Sequence, residues 1–122
     1  MKKTFVESRV FTARAKLRLD DESLHSLQNE LLANPDKGSV MPGCGGLRKV
    51  RAADQRRGKG KRGGVRVVYL NVPEAERIDL ITVYGKDEKD DLSEREKKAL
   101  RTLVASLRAE AIAAFRRKGR RP

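Results

Sequence analysis

Hydrophobic and polar residues alternate along several short stretches of this chain, which is the pattern of half-buried β-strands. The alternation is clearest where Val65, Val67 and Tyr69 share one face and Arg66 interrupts the other. Pro73 then introduces a short turn before a second alternating run, so we expect an antiparallel hairpin. In all, the pattern predicts strands over residues 4–11, 47–52, 65–72 and 77–84.

Apolar stripes and capping residues predict three helices. Residues 12–19 form a short helix that Thr12 is placed to cap, and residues 20–34 carry leucines at helical spacing behind an acidic start at Asp20. A Ser-x-x-Glu capping box opens the last helix over residues 93–115. The order strand, helix, helix, three strands, helix predicts an α+β fold, with an antiparallel sheet of about four strands.

The charge of the chain is concentrated in two segments. The 122 residues, enough for one domain, carry a net charge of +12. Residues 46–69 hold nine Lys/Arg against one acid, and residues 116–122 hold five Lys/Arg and no acid. We expect residues 1–115 to form the domain and the basic tail over 116–122 to be disordered. Such concentration of positive charge favours a nucleic-acid partner.

Several classes of protein are disfavoured by the composition. Cys44 is the only cysteine and His25 the only histidine, so neither a disulfide nor a zinc site of soft ligands is expected. No apolar run approaches the roughly 20 residues that span a bilayer, and the N-terminus lacks the apolar stretch of a signal peptide. We therefore expect a cytoplasmic protein with no membrane partner and no cofactor.

The segment GKGKRGGVRVVY, over residues 58–69, combines a basic glycine-rich loop with the start of a strand. It does not fit a nucleotide P-loop, which has four residues between its glycines and then Lys-Ser/Thr at the start of a helix. A loop of cations that runs into a rigid strand suits the phosphates of a polynucleotide instead.

Hairpin register predicts which residues meet this segment. Arg66 leaves the sheet on the same face as Val68 and Leu70, and a turn centred between residues 74 and 75 pairs position 66 with position 83. Tyr84 and Lys86 then lie close to Arg66 at one end of the sheet.

This cluster suits RNA cleavage by the substrate's own 2′-hydroxyl. Arg66 would stabilise the charge of the phosphorane, since its planar fork matches phosphate oxygens. Lys59 or Lys61 would act as a base or as an electrostatic aid, because clustering with other cations lowers the pKa of a lysine. Tyr84 and Lys86 would orient the RNA or donate a proton. The simpler alternative is that the basic loop only holds RNA.

Other polar residues have plainer interpretations. His25 lies among the leucines of the second helix, and Cys44 lies in a glycine-rich loop. The acids Asp87, Glu88, Asp90 and Asp91 would solubilise a loop more readily than they would bind a metal, and the last two suit the helix start that follows.

Three pieces of the chain carry a family resemblance: PGCGGLRKVR, GKGKRGGVRVVY and IDLITVYGKDEKDDLSEREKKAL. In this order they resemble the RelE/ParE toxin superfamily, and within it the HigB-type toxins of type II toxin–antitoxin systems. The resemblance covers residues 5–104. It implies a RelE-like fold, with two N-terminal helices, a curved antiparallel sheet and a C-terminal helix.

The resemblance also implies a function. RelE and HigB toxins enter the ribosomal A site and cut mRNA without a metal, leaving a 2′,3′-cyclic phosphate. An antitoxin neutralises them, and here we expect the antitoxin to be a helix-turn-helix protein. It places Arg66 at the phosphate-binding position, Lys86 with Tyr84 at the strand-end catalytic position, and Lys59 and Lys61 in the basic loop. Asp87 follows Lys86 where some members have arginine, so the general acid stays open. Further RNA contacts are expected from Arg48, Lys49, Arg51, Arg56, Arg57 and Arg62. The ParE branch, which inhibits gyrase, is the alternative within the superfamily.

Overall fold

One mixed sheet of five strands organises the protein in the computed structural model, which describes residues 3–53, 64–86, 88 and 91–119. The strands lie in the order β1-β5-β4-β3-β2; all neighbours are antiparallel except β1, which is parallel to β5. The elements are β1 (Thr4–Glu7), α1 (Arg9–Arg18), α2 (Asp21–Ala33), β2 (Ser39–Val40), β3 (Arg48–Ala52), β4 (Val65–Val72), β5 (Arg77–Gly85) and α3 (Glu94–Gly119).

The predicted α+β class is confirmed, whereas the sheet is mixed and has one strand more than expected. The two-residue strand β2 lies inside a segment predicted to be a loop. The parallel pairing of β1 with β5 joins segments more than 70 residues apart, as in the hydrogen bond from Ser8 to Ile81. Alternation within β1 could not reveal it, because a strand's period does not encode the direction of its neighbour.

The first helix begins earlier than predicted. Ser8 is its N-cap: its hydroxyl accepts the N–H of Phe11 at 2.9 Å and donates to the carbonyl of Ile81 at 2.6 Å. Thr12, the predicted cap, lies inside α1 and donates to the carboxylate of Glu7. The predicted strand over residues 4–11 therefore ends at Glu7, because the Ser8 cap both starts a helix and fixes it to β5.

The starts of the other two helices agree with the sequence. The carboxylate of Asp20 accepts the N–H of Ser23 at 2.8 Å and begins α2. Ser93 and Glu96 form the reciprocal bonds of a capping box, at 3.0 and 3.1 Å, and the N–H and hydroxyl of Ser93 lower the pKa of Glu96. At its other end α3 continues to Gly119, four residues beyond the predicted end.

The sheet buries a separate apolar cluster on each face. One lies under α1 and α2 and includes Phe11, Leu27, Leu31, Val65, Val67 and Tyr69. The other lies under α3 and includes Leu47, Val68, Leu70, Val72, Val104 and Ala111. The predicted division of β4, with Val65 and Val67 on one face and Val68 and Leu70 on the other, is confirmed. Arg66 therefore belongs to the α3 face.

An irregularity in the β4–β5 ladder sets which residues meet at the far end of the hairpin. Near the turn Val72 pairs with Arg77, but the register shifts between Val68 and Tyr69, which pair with Thr82 and Leu80. Ile81 is the extra residue. As a result Arg66 lies opposite Tyr84 rather than opposite residue 83, and Tyr84 shares the face of Arg66.

The hydroxyl of Tyr69 fastens the segment before β2 to the sheet. It donates to the carbonyl of Pro35 at 2.7 Å and accepts the N–H of Gly38 at 3.0 Å. Burial raises the pKa of Tyr69, against the opposing effect of the Gly38 hydrogen bond. The aromatic ring leaves no space beside Gly38, where a Cβ atom would lie 2.8 Å from Tyr69 Cε1 and 2.9 Å from the carbonyl oxygen of Lys49.

We expect Gly38→Ala to lower the free energy of unfolding by about 1–3 kcal/mol, because neither the ring nor the backbone of β3 has room to give. Gly119→Ala is the matched control, since a Cβ atom there would contact nothing within 4 Å. Urea denaturation of both variants measures the difference. Equal midpoints for the two would contradict the close packing at Gly38.

Candidate nucleic-acid interface

Arg51, Arg66 and Tyr84 form one row across three adjacent strands. Arg51 of β3 lies directly opposite Arg66 of β4, which in turn lies opposite Tyr84 of β5. Directly opposed residues share a face and have Cβ atoms roughly 5 Å apart. The strands therefore present two arginines and one tyrosine from adjacent positions on one face, at the end of the α3 face farthest from the β4–β5 turn.

The two arginines lack an acidic partner among the described residues. Within the described residues, the Arg66 side chain makes one hydrogen bond, a long contact of 3.5 Å to the carbonyl of Val65. Arg51 is exposed and Arg66 is half-buried. Like charges directly opposite each other destabilise a sheet, so this pair is better suited to an anion that lies between them than to holding the sheet together.

The remaining predicted contacts of β3 divide between the two faces. Lys49 lies opposite Val68 and extends the cationic row along the α3 face. Arg48 lies opposite Tyr69 and is engaged in structure: it donates to the carbonyl of Gly38 at 2.7 Å and approaches the carboxylate of Asp36 at 3.6 Å. Arg48 is thus separated from the row.

Lys86 is exposed, one residue beyond the end of β5. Gly85 pairs with Val65, so Lys86 emerges at the same end of the sheet as Arg66 and Tyr84. The predicted neighbours Lys59 and Lys61, and the predicted RNA contacts Arg56, Arg57 and Arg62, lie outside the described residues.

Glu88 fixes the end of β5, a role that the sequence did not suggest. Its carboxylate accepts the N–H of Gly85 at 3.0 Å and the guanidinium groups of Arg14 and Arg18 at 2.5 and 2.6 Å. Arg14 also donates to the carbonyl of Val83. The Gly85 hydrogen bond, followed by the two arginines, holds the pKa of Glu88 below its usual range in spite of partial burial. We call this group the Glu88 clasp; it ties α1 to the backbone on both sides of Tyr84.

A change of Glu88→Gln should lower stability at neutral pH by on the order of 1 kcal/mol, since the carboxylate is partly exposed and partly screened. The folded pKa is lowered, so the stabilisation is present above the ordinary value of about 4.5 and is lost as pH falls through the folded pKa. Thermal melts of both proteins from neutral to acid pH should converge at the acid end. Glu94→Gln, at a side chain 88% exposed, is the control and should match the native protein throughout. A constant difference between native and Glu88→Gln melts would contradict the clasp.

Other candidates from the sequence lie elsewhere. His25 is exposed on α2, and Cys44 is buried under α3. Within the described residues no group of three or more His, Cys, Asp or Glu is arranged to hold a metal ion. The same part of the chain contains no helix with the length and apolar character needed to cross a membrane.

Comparison with protein-family models found no match for this chain. The candidate site accordingly rests on its own geometry: a cationic row on a rigid sheet, with a phenol at one end and an exposed lysine beyond it.

Proposed function

We propose that this protein is an endoribonuclease toxin of a type II toxin–antitoxin system, related to RelE and HigB toxins, that cuts mRNA on the ribosome without a metal. The observation that carries the proposal is the row of Arg51, Arg66 and Tyr84. Two opposed arginines without a described acidic partner form a site for one phosphate, and a phenol beside them meets the sugar or base of the same nucleotide.

The proposed reaction needs no cofactor because the nucleophile belongs to the RNA. The 2′-hydroxyl loses its proton to a base and attacks the adjacent phosphorus, while Arg66 and Arg51 stabilise the charge that develops on the non-bridging oxygens. The 5′-oxygen leaves with a proton from an acid. The products are a 2′,3′-cyclic phosphate and a 5′-hydroxyl. Lys86 and Tyr84 are the described candidates for acid or for orienting the RNA, and Lys59 or Lys61 for base.

Rigidity supports this assignment. Arg51, Arg66 and Tyr84 lie on paired strands, and the Glu88 clasp holds the backbone next to Tyr84 and Lys86. Catalysis by positioned charges requires that the groups be in place before the transition state forms. A net charge of +12 supports ribosomal RNA as the partner surface, and an antitoxin encoded beside the toxin is the partner expected from the resemblance.

Mapping the 5′ ends of cellular mRNA after brief induction tests the proposal. We expect new ends inside translated messages, in frame with codons, that carry a 5′-hydroxyl and leave a 2′,3′-cyclic phosphate on the upstream fragment. DNA damage with intact mRNA would replace the proposal with a gyrase inhibitor of ParE type. Intact mRNA and unaffected growth, with salt-dependent binding to free RNA, would reduce it to an RNA-binding module.

A further inference from the structure

We propose that the apolar pocket beside the cationic row binds a nucleobase that carries an exocyclic amino group, one nucleotide away from the phosphate on Arg51 and Arg66. This inference rests on the proposed function, which it deepens by naming how the RNA strand is read. Its experiment uses RNA analogues that cannot be cut, so its outcome does not depend on catalysis.

Two adjoining depressions lie along the sheet. The first, which we call the cationic pocket, has a volume of about 460 Å³ and is lined by Lys49, Arg51 and Arg66 together with residues 37–39. The second, the apolar pocket, has a volume of about 670 Å³ and is walled by Val40, Met41, Pro42 and Leu92. Ser39 and Lys49 line both. The two pockets are therefore neighbours, so that adjacent parts of one ligand can occupy both.

The two pockets differ in chemistry in the way that the parts of a nucleotide differ. The cationic pocket suits a phosphate, whereas the apolar pocket offers aliphatic walls and a thioether, which packs well against aromatic rings. Val40 is 55% exposed, a wide apolar surface for a two-residue strand. Single-stranded RNA is recognised by bases that leave the stack and lie against side chains, with the backbone held by cations.

The polar residues of the apolar pocket would distinguish one nucleobase from another. Ser39, Lys49, Asp91 and Lys97 line the pocket together with its apolar walls. An ionised carboxylate only accepts hydrogen bonds. Adenine, cytosine and guanine each present an exocyclic amino group that can donate to it, whereas uracil offers only its N3–H, which lies between two carbonyl oxygens that a carboxylate repels. The pocket should therefore discriminate against uracil.

The walls are held in place before any ligand arrives. The N–H of Met41 donates to the carbonyl of Leu47 at 2.9 Å, and Arg101 of α3 donates to the carbonyl of Gly43 at 2.7 Å. Gly45, at φ +73°, lets this turn approach α3 so closely that a Cβ atom there would lie 3.2 Å from Val104. The turn that carries Met41 and Pro42 is thus fixed against the helix that follows Leu92.

The test is methyl NMR on the full chain, which has two methionines. With ¹³C-methyl methionine, Met41 gives one of two signals, assigned by Met41→Leu. Three probes are added in turn: inorganic phosphate and two deoxydinucleotides, one with adenine at both positions and one with uracil at both. We expect the adenine dinucleotide to shift the Met41 signal, the uracil dinucleotide to bind about tenfold more weakly, and phosphate to leave Met41 unchanged.

Variants locate the binding. Val40→Glu should weaken the adenine dinucleotide about tenfold or more and leave phosphate binding unchanged, because it places a charged side chain in the apolar pocket and Val40 does not line the cationic pocket. Leu103→Glu is the matched control, since Leu103 is an exposed apolar residue, 42% accessible, on α3 and outside both pockets. Asp91→Asn should reduce the difference in affinity between the adenine and uracil dinucleotides, because an amide can also donate a hydrogen bond to the carbonyl oxygens of uracil.

Four results would overturn the inference. The first two are a Met41 signal that neither dinucleotide shifts, and a Met41 signal that inorganic phosphate shifts as much as the adenine dinucleotide does. The other two are equal affinities for the adenine and uracil dinucleotides, and a Met41 shift with a polyglutamate peptide but with neither dinucleotide. The last would assign the pocket to an acidic polypeptide. If the native protein cuts RNA and Met41 does not respond, the inference fails alone. If Met41 responds as expected and no RNA is cut in cells, the proposed function fails alone.

Discussion

Arg66→Ala should greatly slow the RNA cleavage that we propose, while the protein stays folded. Removing one preorganised charge that stabilises a transition state costs roughly 10²–10³ in kcat, and at Arg66 the loss should reach this range because the arginine is fixed on a central strand. Single-turnover cleavage of mRNA on programmed ribosomes measures it. Arg66→Lys should recover only part of the rate, since a lysine keeps the charge and loses the fork that matches two phosphate oxygens.

Stability provides the independent readout for this variant. Arg66 and Arg51 are like charges directly opposite each other, so removing one relieves repulsion, and the melting temperature of Arg66→Ala should stay level or rise. Arg95→Ala, at an exposed position of α3, is the charge-matched control and should cut RNA at the native rate. Full cleavage by a folded Arg66→Ala protein would remove Arg66 from the reaction.

The second large effect concerns Asp79, at the opposite end of the α3 face. Asp79 is almost fully buried, and its carboxylate accepts three hydrogen bonds from Arg77, the shortest at 2.8 Å. Arg77 also pairs with the exposed Glu110 at 2.7 Å. Burial lowers the pKa of Arg77, but the hydrogen bonds and charges of Asp79 and Glu110 outweigh it and leave the pKa raised.

We expect Asp79→Ala to lower the free energy of unfolding by about 3 kcal/mol. The change leaves the Arg77 side chain, which is 12% exposed, with the exposed Glu110 as its remaining partner. Glu110→Ala removes that outer partner, whose side chain is 57% exposed, and should cost less than about 1 kcal/mol. Chemical denaturation compares the two.

A double variant isolates the cause of this loss. Replacing both members, as Arg77→Met with Asp79→Leu, should restore most of the stability, because no buried charge is then left without a partner. If Asp79→Ala lowers the free energy of unfolding no more than Glu110→Ala does, the Arg77–Asp79 pair does not contribute more to stability than the Arg77–Glu110 pair.

The sequence predicts the β4–β5 hairpin and its faces well because both depend on local periodicity. Alternation places Val65 and Val67 on one face and Arg66 on the other, and Pro73 locates the turn. The predicted register fails by one residue at Arg66, because a bulge leaves no mark in a run of similar apolar residues such as IDLITVY. The bulge is nevertheless what puts Tyr84, and not Val83, beside Arg66.

Features that depend on distant segments escape the sequence. In the sequence Glu88 is one of several acids in a loop. Only the folded structure shows that Arg14, Arg18 and the N–H of Gly85 all donate to its carboxylate. The pairing of β1 with β5 is equally hidden, since a strand of only four residues fits either edge of the sheet and either direction. Nothing local marks Arg14 and Arg18 either, because their partner Glu88 lies 74 and 70 residues further along the chain.

The parallel pairing of β1 with β5 has a consequence for the order in which the chain acquires structure during synthesis. The contacts that hold β1 and α1 to the sheet span 73 and 74 residues, from Ser8 to Ile81 and from Arg14 to Glu88. Contacts of such separation form late, since the intervening chain must first be made and ordered. A nascent chain therefore has neither Tyr84 nor its clasp until Glu88 has left the ribosome that is making it. The catalytic row we propose is thus assembled only after β5 has left the ribosome, long after β1 and α1 have been made.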